Sequence, residues 1–219
     1  MSGLVMAAAK KRALLIAAGE MDNIIFKNLI SDEKLCIAID GGYNHCIRMG
    51  FVPDVVIGDF DSLDTSIIDK NIISIKKVSQ EETDLLKAIN WAISSGIKEI
   101  EIIGVESGRS DHILGTYAAL AEINQDEILF IDIQIHLNDF IVKYIPRKKL
   151  MEFNFKEKTH ISLFCLSNSL VSLKGTKWPL DNEEINFSTQ GIHNYSEDQT
   201  VEVIVHEGGP ALLFINRIL

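Results

Sequence analysis

Four polar clusters in the first half of the chain combine carboxylates with glycine, threonine, arginine or histidine near the ends of β-like apolar runs. They are Asp40-Gly41-Gly42, Gly58-Asp59-Phe60-Asp61-Ser62, Gln80-Glu81-Glu82-Thr83-Asp84 and Gly108-Arg109-Ser110-Asp111-His112. In a parallel α/β sheet, ligands bind outside the carboxyl ends of the strands, where these clusters would meet. One cluster alone is explained more simply by a turn or a helix cap, but four at one sheet edge indicate a ligand site.

Asp59 and Asp61 are spaced to share a cation. If the segment is extended, side chains two residues apart lie on one side, roughly 6.6 Å apart. Two such carboxylates repel each other unless a cation neutralises them, and Mg²⁺ takes one or two carboxylates together with substrate phosphates. Asp84, at the start of a predicted helix, can add a third carboxylate. We predict Mg²⁺ at Asp59, Asp61 and Asp84; the alternative is that Asp59 and Asp61 only cap turns in solvent.

A nucleotide's phosphates would have to be held without the common glycine-rich motifs. The chain contains neither G-x-x-x-x-G-K-[ST] nor G-x-G-x-x-G, which disfavours P-loop NTPases and ordinary dinucleotide-binding folds. It offers instead a metal, glycine-lined backbone and Arg109, which can contact phosphate with two parallel hydrogen bonds. The alternatives are a salt bridge from Arg109 to Asp111 or Glu106, and an ordinary first-turn helix position for His112.

The elements that must position these residues alternate between strand and helix over the first ~135 residues. Strands are predicted at Ala13–Ala18, Leu35–Ile39, Val55–Ile57, Ile72–Ile75, Ile100–Ile103 and Ile128–Ile133. Helices are predicted near 21–30, 43–49, 84–95 and 112–123, the third with Thr83 as its N-cap. This pattern predicts a parallel Rossmann-like sheet with flanking helices.

The remainder of the chain is strand-like and rich in turns. Strands are predicted at Phe140–Tyr144, His160–Leu166, Val171–Lys174, Thr200–Val205 and Ala211–Asn216, with no helix among them. This arrangement is typical of a small antiparallel β-sandwich. We therefore predict three parts: a disordered leader at 1–12, an α/β domain at 13–139 that carries the four polar clusters, and a β-sandwich domain at 140–219.

Composition excludes several classes of protein. The formal net charge of −10 disfavours nucleic-acid binding, which needs a basic surface. Three cysteines without C-x-x-C spacing suit a reducing compartment, and the histidines lack zinc-site spacing. No apolar run reaches ~18 residues, so no membrane span is predicted. These features predict a cytoplasmic protein without nucleic-acid or membrane partners.

Six segments resemble elements of the thiamine pyrophosphokinase family, in the family's order. They are residues 40–44, resembling D-G-G-x-N; 53–62, P-D-x-I-I-G-D-F-D-S; 80–84, Q-x-x-T-D; 107–115, G-G-R-x-D-H-x-L-x; 161–164, I-S-L-F; and 175–180, G-L-K-Y-P-L. The resemblance covers roughly residues 13–217. The chain departs from it at Ser107, where glycine is usual, at Thr176, where leucine is usual, and at His193, where serine is typical.

The resemblance implies diphosphoryl transfer, in which the thiamine hydroxyl attacks the β-phosphorus of ATP and AMP leaves. Alignment and charge stabilisation dominate such a reaction. Arg109 would contact the phosphates or the departing AMP, and Gln80 and Thr83 would position ATP oxygens. Asp40 would either orient the thiamine hydroxyl or join the metal site. The catalytic set is thus Asp40, Asp59, Asp61, Asp84 and Arg109.

The expected substrate contacts come from both parts of the chain. The expected substrate contacts, besides Gln80 and Thr83, are Asp111, His112, Trp178, His193 and Asn194. Trp178 is nominated because an aromatic face attracts the thiazolium cation; a core or dimer-interface position is its alternative. The resemblance also implies a homodimer with thiamine bound near the subunit boundary. In it, 13–139 is the ATP-binding catalytic domain, and 140–219 is the thiamine-binding and dimerisation domain, with a dimer contact at Ala211–Ile215.

Two other functions compete with this assignment. A non-catalytic nucleotide-binding regulator would be expected to lose carboxylates first, whereas Asp59, Asp61 and Asp84 are all present. A Mg²⁺-dependent glycosyl- or nucleotidyltransferase with a D-x-D motif would account for Asp59-Phe60-Asp61 but not for the other three clusters.

Overall fold

The computed structural model describes residues 10–60, 72–76, 81–106 and 109–217. The chain divides into two compact units. The α/β unit comprises Met1–Ile123 and Ile131–Asn138, and the β unit comprises Asn124–Phe130 and Asp139–Leu219. The segment 124–130 belongs to the β unit, although it lies before the predicted boundary at 139.

A parallel sheet forms the centre of the α/β unit. Its described strands are β1 (Arg12–Ile16), β2 (Lys34–Ile39), β3 (Val55–Gly58), β4 (Ile73–Lys76), β5 (Glu99–Ile103) and β6 (Asp132–His136). Their spatial order is β6-β5-β1-β2-β3-β4, and every adjacent pair is parallel. β1, β2 and β3 are almost completely buried, which explains their continuous apolar runs. The predicted parallel α/β architecture is confirmed.

Four described helices accompany this sheet: α1 (Asn23–Leu29), α2 (Gly42–Arg48), α3 (Asp84–Ser94) and α4 (Ser110–Ala121). Phe26 of α1 and Tyr43 of α2 pack against Leu14 and Cys36 of the sheet. α3 packs on β2 and β3. Its predicted cap is confirmed, since the Thr83 hydroxyl accepts a hydrogen bond from the Leu86 backbone N–H at 3.3 Å. None of the described helices is long and apolar enough to cross a membrane.

Two local predictions differ from the structure. The strand predicted at Ile128–Ile133 is wrong over its first four residues, because the strand runs from Asp132 to His136. Ile128 is buried although it lies outside any strand, so burial rather than pairing explains the apolar run there. The predicted leader is also too long, since β1 begins at Arg12 and the Lys10 ammonium contacts the Lys34 carbonyl at 2.9 Å.

The β unit consists of two antiparallel sheets. Its strands are β7 (Phe140–Ile145), β8 (Met151–Asn154), β9 (His160–Cys165), β10 (Ser169–Lys174), β11 (Leu180–Ile185), β12 (Asn194–Tyr195), β13 (Thr200–Gly208) and β14 (Ala211–Asn216). Within this unit the orders are β12-β9-β14-β7 and β11-β10-β13-β8. Leu163 and Leu213 of the first sheet share a buried core with Val171 and Val203 of the second. The predicted sandwich is confirmed, and β8, β11 and β12 are additional to the prediction.

Candidate active site

Two of the predicted carboxylates follow neighbouring strands at one edge of the α/β sheet. Asp40 comes directly after β2, and its backbone N–H donates to the Ile57 carbonyl of β3 at 2.9 Å. Asp59 comes directly after β3 and is half-buried. The backbone of Asp40 lies in the left-handed region, at φ 42°. This conformation is uncommon outside glycine, although Asp tolerates it better than most residues, and it is found at functional turns.

A cavity of about 510 Å³ opens at this edge, large enough for a sizeable ligand. Six of the predicted site residues line it: Asp40, Thr83, Asp84, Arg109, Asp111 and His112. The rest of its wall is small or apolar and comes from the ends of β1, β2 and β5 and from α3 and α4: Ala17, Ala18, Gly19, Ile39, Leu85, Gly104, Val105, Gly115 and Thr116. The structure therefore brings three of the four predicted clusters together around one space.

Two glycines allow backbone segments to approach each other closely at this site. A Cβ added at Gly42 would lie 2.0 Å from the Ile16 carbonyl oxygen, and one at Gly19 would lie 2.5 Å from the Gly104 carbonyl oxygen. Both contacts are with backbone, so no side-chain movement would relieve them. Gly42 lets α2 begin against the end of β1, and Gly19 lets the loop after β1 approach the loop after β5.

The Asp84 carboxylate is held by a buried lysine that the sequence did not single out. The Lys87 ammonium lies 2.9 Å from Asp84 Oδ1, and the Lys87 side chain is 6% exposed whereas that of Asp84 is 28% exposed. The pair spans three positions of α3, a spacing that puts both side chains on one face. That spacing could have indicated Lys87 from sequence.

Arg109 and Asp111 form a salt bridge at the rim of the cavity. Arg109 Nε donates to Asp111 Oδ1 at 3.1 Å, and Arg109 Nη2 donates to Asp111 Oδ2 at 2.6 Å. The hydrogen bond with Arg109 lowers the pKa of Asp111. Both side chains are mostly exposed, so the pair contributes little to stability and can exchange partners. His112 lies in the first turn of α4, as its alternative interpretation held, and also lines the cavity.

Two predicted site residues, Asp61 and Gln80, lie outside the described residues. Asp59 is not among the described residues that line the cavity. Over the described ranges, no group of three or more His, Cys, Asp or Glu side chains is gathered closely enough to hold a metal ion. The triad of Asp59, Asp61 and Asp84 stays a prediction.

The β unit brings its three predicted site residues together around a smaller cavity of about 280 Å³. Trp178, His193 and Asn194 line it with Gln190 and Ile192. Trp178 is 54% exposed, which excludes the core position considered for it. His193, with φ 61°, occupies a left-handed turn and donates its backbone N–H to the Ser162 hydroxyl.

Asn194 acts within the β unit as a support for the Trp178 loop. Its buried amide nitrogen donates to the Trp178 carbonyl at 2.8 Å and to the Thr176 hydroxyl at 3.2 Å. Its amide oxygen accepts from the Trp178 N–H at 3.2 Å. Thr176, which replaces a usual leucine, thus contributes a hydroxyl to this network. The amide of Asn194 is occupied in fixing the position of Trp178.

A parallel sheet whose carboxyl edge gathers acidic side chains and an arginine around a cavity is typical of α/β proteins that bind a ligand at the ends of their strands. Residues 26–131 match the thiamin pyrophosphokinase catalytic domain, and residues 147–208 match the thiamin pyrophosphokinase vitamin B1 binding domain. The chain belongs to the thiamine pyrophosphokinase family, whose reaction transfers diphosphate from ATP to thiamine.

Individual relatives agree with this assignment. A thiamine pyrophosphokinase of Bacillus subtilis is 29% identical over 195 residues, covering 84% of this chain and 89% of the relative. Thiamin pyrophosphokinase 1 of Caenorhabditis elegans is 24% identical over 202 residues, covering 86% and 81%. The crystal structure of a Bacillus subtilis thiamine pyrophosphokinase superposes with a TM-score of 0.78 at 24% identity, covering 95% of this chain and all of that one. The last comparison supports the fold.

Proposed function

We propose that this protein transfers the diphosphate of ATP to the thiamine hydroxyl with Mg²⁺, releasing thiamine diphosphate and AMP. The observation that carries the proposal is the cavity at the sheet edge, where Asp40, Thr83, Asp84 and Arg109 meet in a chain of this family. Diphosphoryl transfer needs positioned substrates and compensation of negative charge, and a mixed acidic and cationic cavity supplies both.

The donor set of the α/β unit suits Mg²⁺. The carboxylates of Asp40 and Asp84 line the cavity, and carboxylate oxygen is the ligand type that Mg²⁺ takes from proteins while phosphates and water complete its octahedron. Asp84, with Asp59 and Asp61, would hold the ion. Bound there, Mg²⁺ would neutralise charge on the ATP phosphates. Lys87 keeps the Asp84 carboxylate oriented, since it donates to one carboxylate oxygen from a buried position.

Arg109 is suited to bind phosphate in place of its present partner, Asp111. Its guanidinium now makes two hydrogen bonds to Asp111, the geometry that it would also use with a phosphate group. Because both side chains are mostly exposed, releasing Asp111 costs little. We infer that Arg109 moves its charge to the phosphates or to the departing AMP when ATP binds. Thr83 and Gln80 would position ATP oxygens, with His112 and Asp111 at the rim.

Each unit carries its own predicted substrate contacts. Asp40 would orient the thiamine hydroxyl or add a metal ligand, while Trp178 and His193 would contact the vitamin in the β unit. We further infer a cytoplasmic homodimer that has neither nucleic-acid nor membrane partners.

A row of phenylalanines on the β unit, three half-buried and one exposed, supports the dimer. Phe140, Phe214, Phe164 and Phe187 follow one another with ring centroids 6.2, 5.5 and 6.2 Å apart, and Phe187 is 65% exposed. Phe214 belongs to β14, where we predicted a dimer contact, although Ala211 to Leu213 of the same strand are buried. The phenylalanine row, rather than the buried part of β14, is therefore the candidate for the surface that a second copy covers.

One incubation distinguishes the proposed function from the two competing ones. Purified protein is incubated with ATP, Mg²⁺ and thiamine, and the products are separated by chromatography. Diphosphate transfer gives thiamine diphosphate and AMP in equal amounts. ADP with thiamine monophosphate would show a simple kinase, and the absence of any thiamine product would favour a regulator or a transferase with another acceptor.

A further inference from the structure

Two lysines and two aromatic rings form a cluster on the β unit beside the Trp178 cavity. The Lys158 ammonium lies 3.5 Å from the centroid of the Tyr195 ring. The Lys177 ammonium lies 5.2 Å from the same centroid and 4.9 Å from that of Trp178. The Trp178 and Tyr195 rings meet edge to face at 5.6 Å. We call Lys158, Lys177, Trp178 and Tyr195 the lysine–aromatic cluster.

Both positive charges act on the same small surface. Hydrogen bonding from Lys177, and also from Lys158, lowers the pKa of the Tyr195 hydroxyl. Glu197 is an acidic neighbour that acts on Lys177. On a protein with a formal net charge of −10, two ammonium groups at one aromatic ring form a local positive centre that attracts anions.

This positive centre affects whether Trp178 binds thiamine or its phosphorylated form. Lys177 already makes a cation–π contact with the Trp178 ring, so a thiazolium on that ring would lie near a like charge. A phosphorylated form carries its own negative charge, which the ammonium groups can compensate. Its aromatic rings could still enter the cavity that Trp178 lines with Ile192 and His193.

We propose that the lysine–aromatic cluster binds the diphosphate of the reaction product, so that the β unit binds thiamine diphosphate in preference to thiamine. The inference rests on the proposed function and adds a site at which the product can inhibit the enzyme. The two ammonium groups contact the diphosphate oxygens, and the Trp178 ring contacts the heterocycle.

Fluorescence of Trp178 provides a readout specific to this cluster. The chain has two tryptophans, so Trp91→Phe leaves Trp178 as its single indole. In that background, thiamine diphosphate, thiamine and inorganic pyrophosphate are titrated separately against the full chain. The double change Lys158→Gln/Lys177→Gln removes both charges, and Lys156→Gln removes one charge from another exposed lysine as a matched control.

The expected dissociation constant for thiamine diphosphate is about tenfold lower than that for thiamine, and it rises about tenfold in the double variant, roughly the effect of losing one charge-assisted hydrogen bond. Lys156→Gln should change it less than about twofold. Equal affinities in parent and double variant would overturn the proposal, as would pyrophosphate binding as tightly as thiamine diphosphate. Turnover of ATP and thiamine by the same parent protein is measured in parallel, so failure of the proposed function would be recognised separately.

Discussion

Asp84→Asn is the substitution that best distinguishes a catalytic carboxylate from a structural one. The change keeps the size and shape of the side chain but removes a negative charge that lies 2.9 Å from the Lys87 ammonium. It also removes a predicted ligand of Mg²⁺. We therefore expect two separable effects, one on stability and one on activity.

The burial of the Asp84–Lys87 pair sets an upper and a lower limit on how much Asp84→Asn destabilises the protein. Removing one partner of a fully buried ion pair costs about 3–5 kcal/mol, and exposed pairs contribute about 0–1 kcal/mol. Lys87 is 6% exposed and Asp84 is 28% exposed, which places the pair between these limits, at about 2 kcal/mol. For a chain of this length, that corresponds to a melting temperature about 4–8 °C lower.

The loss of activity in Asp84→Asn should be large, and it should not be explained by the loss of stability. Loss of one preorganised electrostatic group in an active site costs about 10²–10³ in rate. Adding Lys87→Met to Asp84→Asn removes the buried positive charge as well. Neutralising both members of a buried pair is often close to neutral for stability. The double variant should recover most of the lost melting temperature and remain nearly inactive.

Circular dichroism melting curves and chromatographic detection of thiamine diphosphate, at a temperature where every variant is folded, measure the two effects. Asp32→Asn is the matched control, since Asp32 is an exposed carboxylate of the same unit, and it should leave both quantities unchanged. If Asp84→Asn alone has the same melting temperature as the parent protein, the stabilising ion pair between Asp84 and Lys87 is refuted. Near-normal turnover in either Asp84 variant would show that Asp84 is not a catalytic ligand.

Two further predictions concern acid stability and assembly. Burial would raise the pKa of Glu101, but hydrogen bonds with His136 and Lys34 outweigh it and lower the pKa to about 2. Ionised Glu101 therefore stabilises the fold by on the order of 3 kcal/mol above pH ~4.5, and this contribution is lost as the pH falls towards 2. Glu101→Gln should thus lower the melting temperature at pH 7 but not at pH 2. An equal decrease in melting temperature at both pH values would contradict this prediction. Light scattering should give the parent protein a mass about twice that of one 24.5 kDa chain. Phe187→Asp should dissociate this dimer into monomers. A monomeric parent protein would contradict the proposed dimer.

Much of the fold could be predicted from sequence because burial leaves a clear pattern. The apolar runs of β1 to β3 and the helical spacing in α3 correspond to observed elements, and Thr83 caps α3 as its position indicated. Failures occurred where apolar residues are buried without strand pairing, as at Ile128, and where strands carry few apolar residues. β11 is an example, since four of its six residues are exposed.

The candidate site was predicted as a set of residues but not as a set of contacts. The polar clusters that follow the strands placed Asp40 and Asp84 at one edge of the sheet, and both line the cavity there. Sequence could not decide that Arg109 pairs with Asp111, because an arginine at a loop can contact any nearby acid. Nor could it show that Asn194 supports Trp178, because the two side chains meet only when distant turns of the β unit fold together.

The fate of isotopic label from ATP tests the central claim most directly. ATP labelled with ³²P at the β position is incubated with the protein, Mg²⁺ and thiamine, and the reaction is repeated with label at the γ position. If the diphosphate moves as one unit, both labels appear in thiamine diphosphate and AMP carries none. Label at the γ position in thiamine monophosphate, with β label left in ADP, would contradict diphosphate transfer.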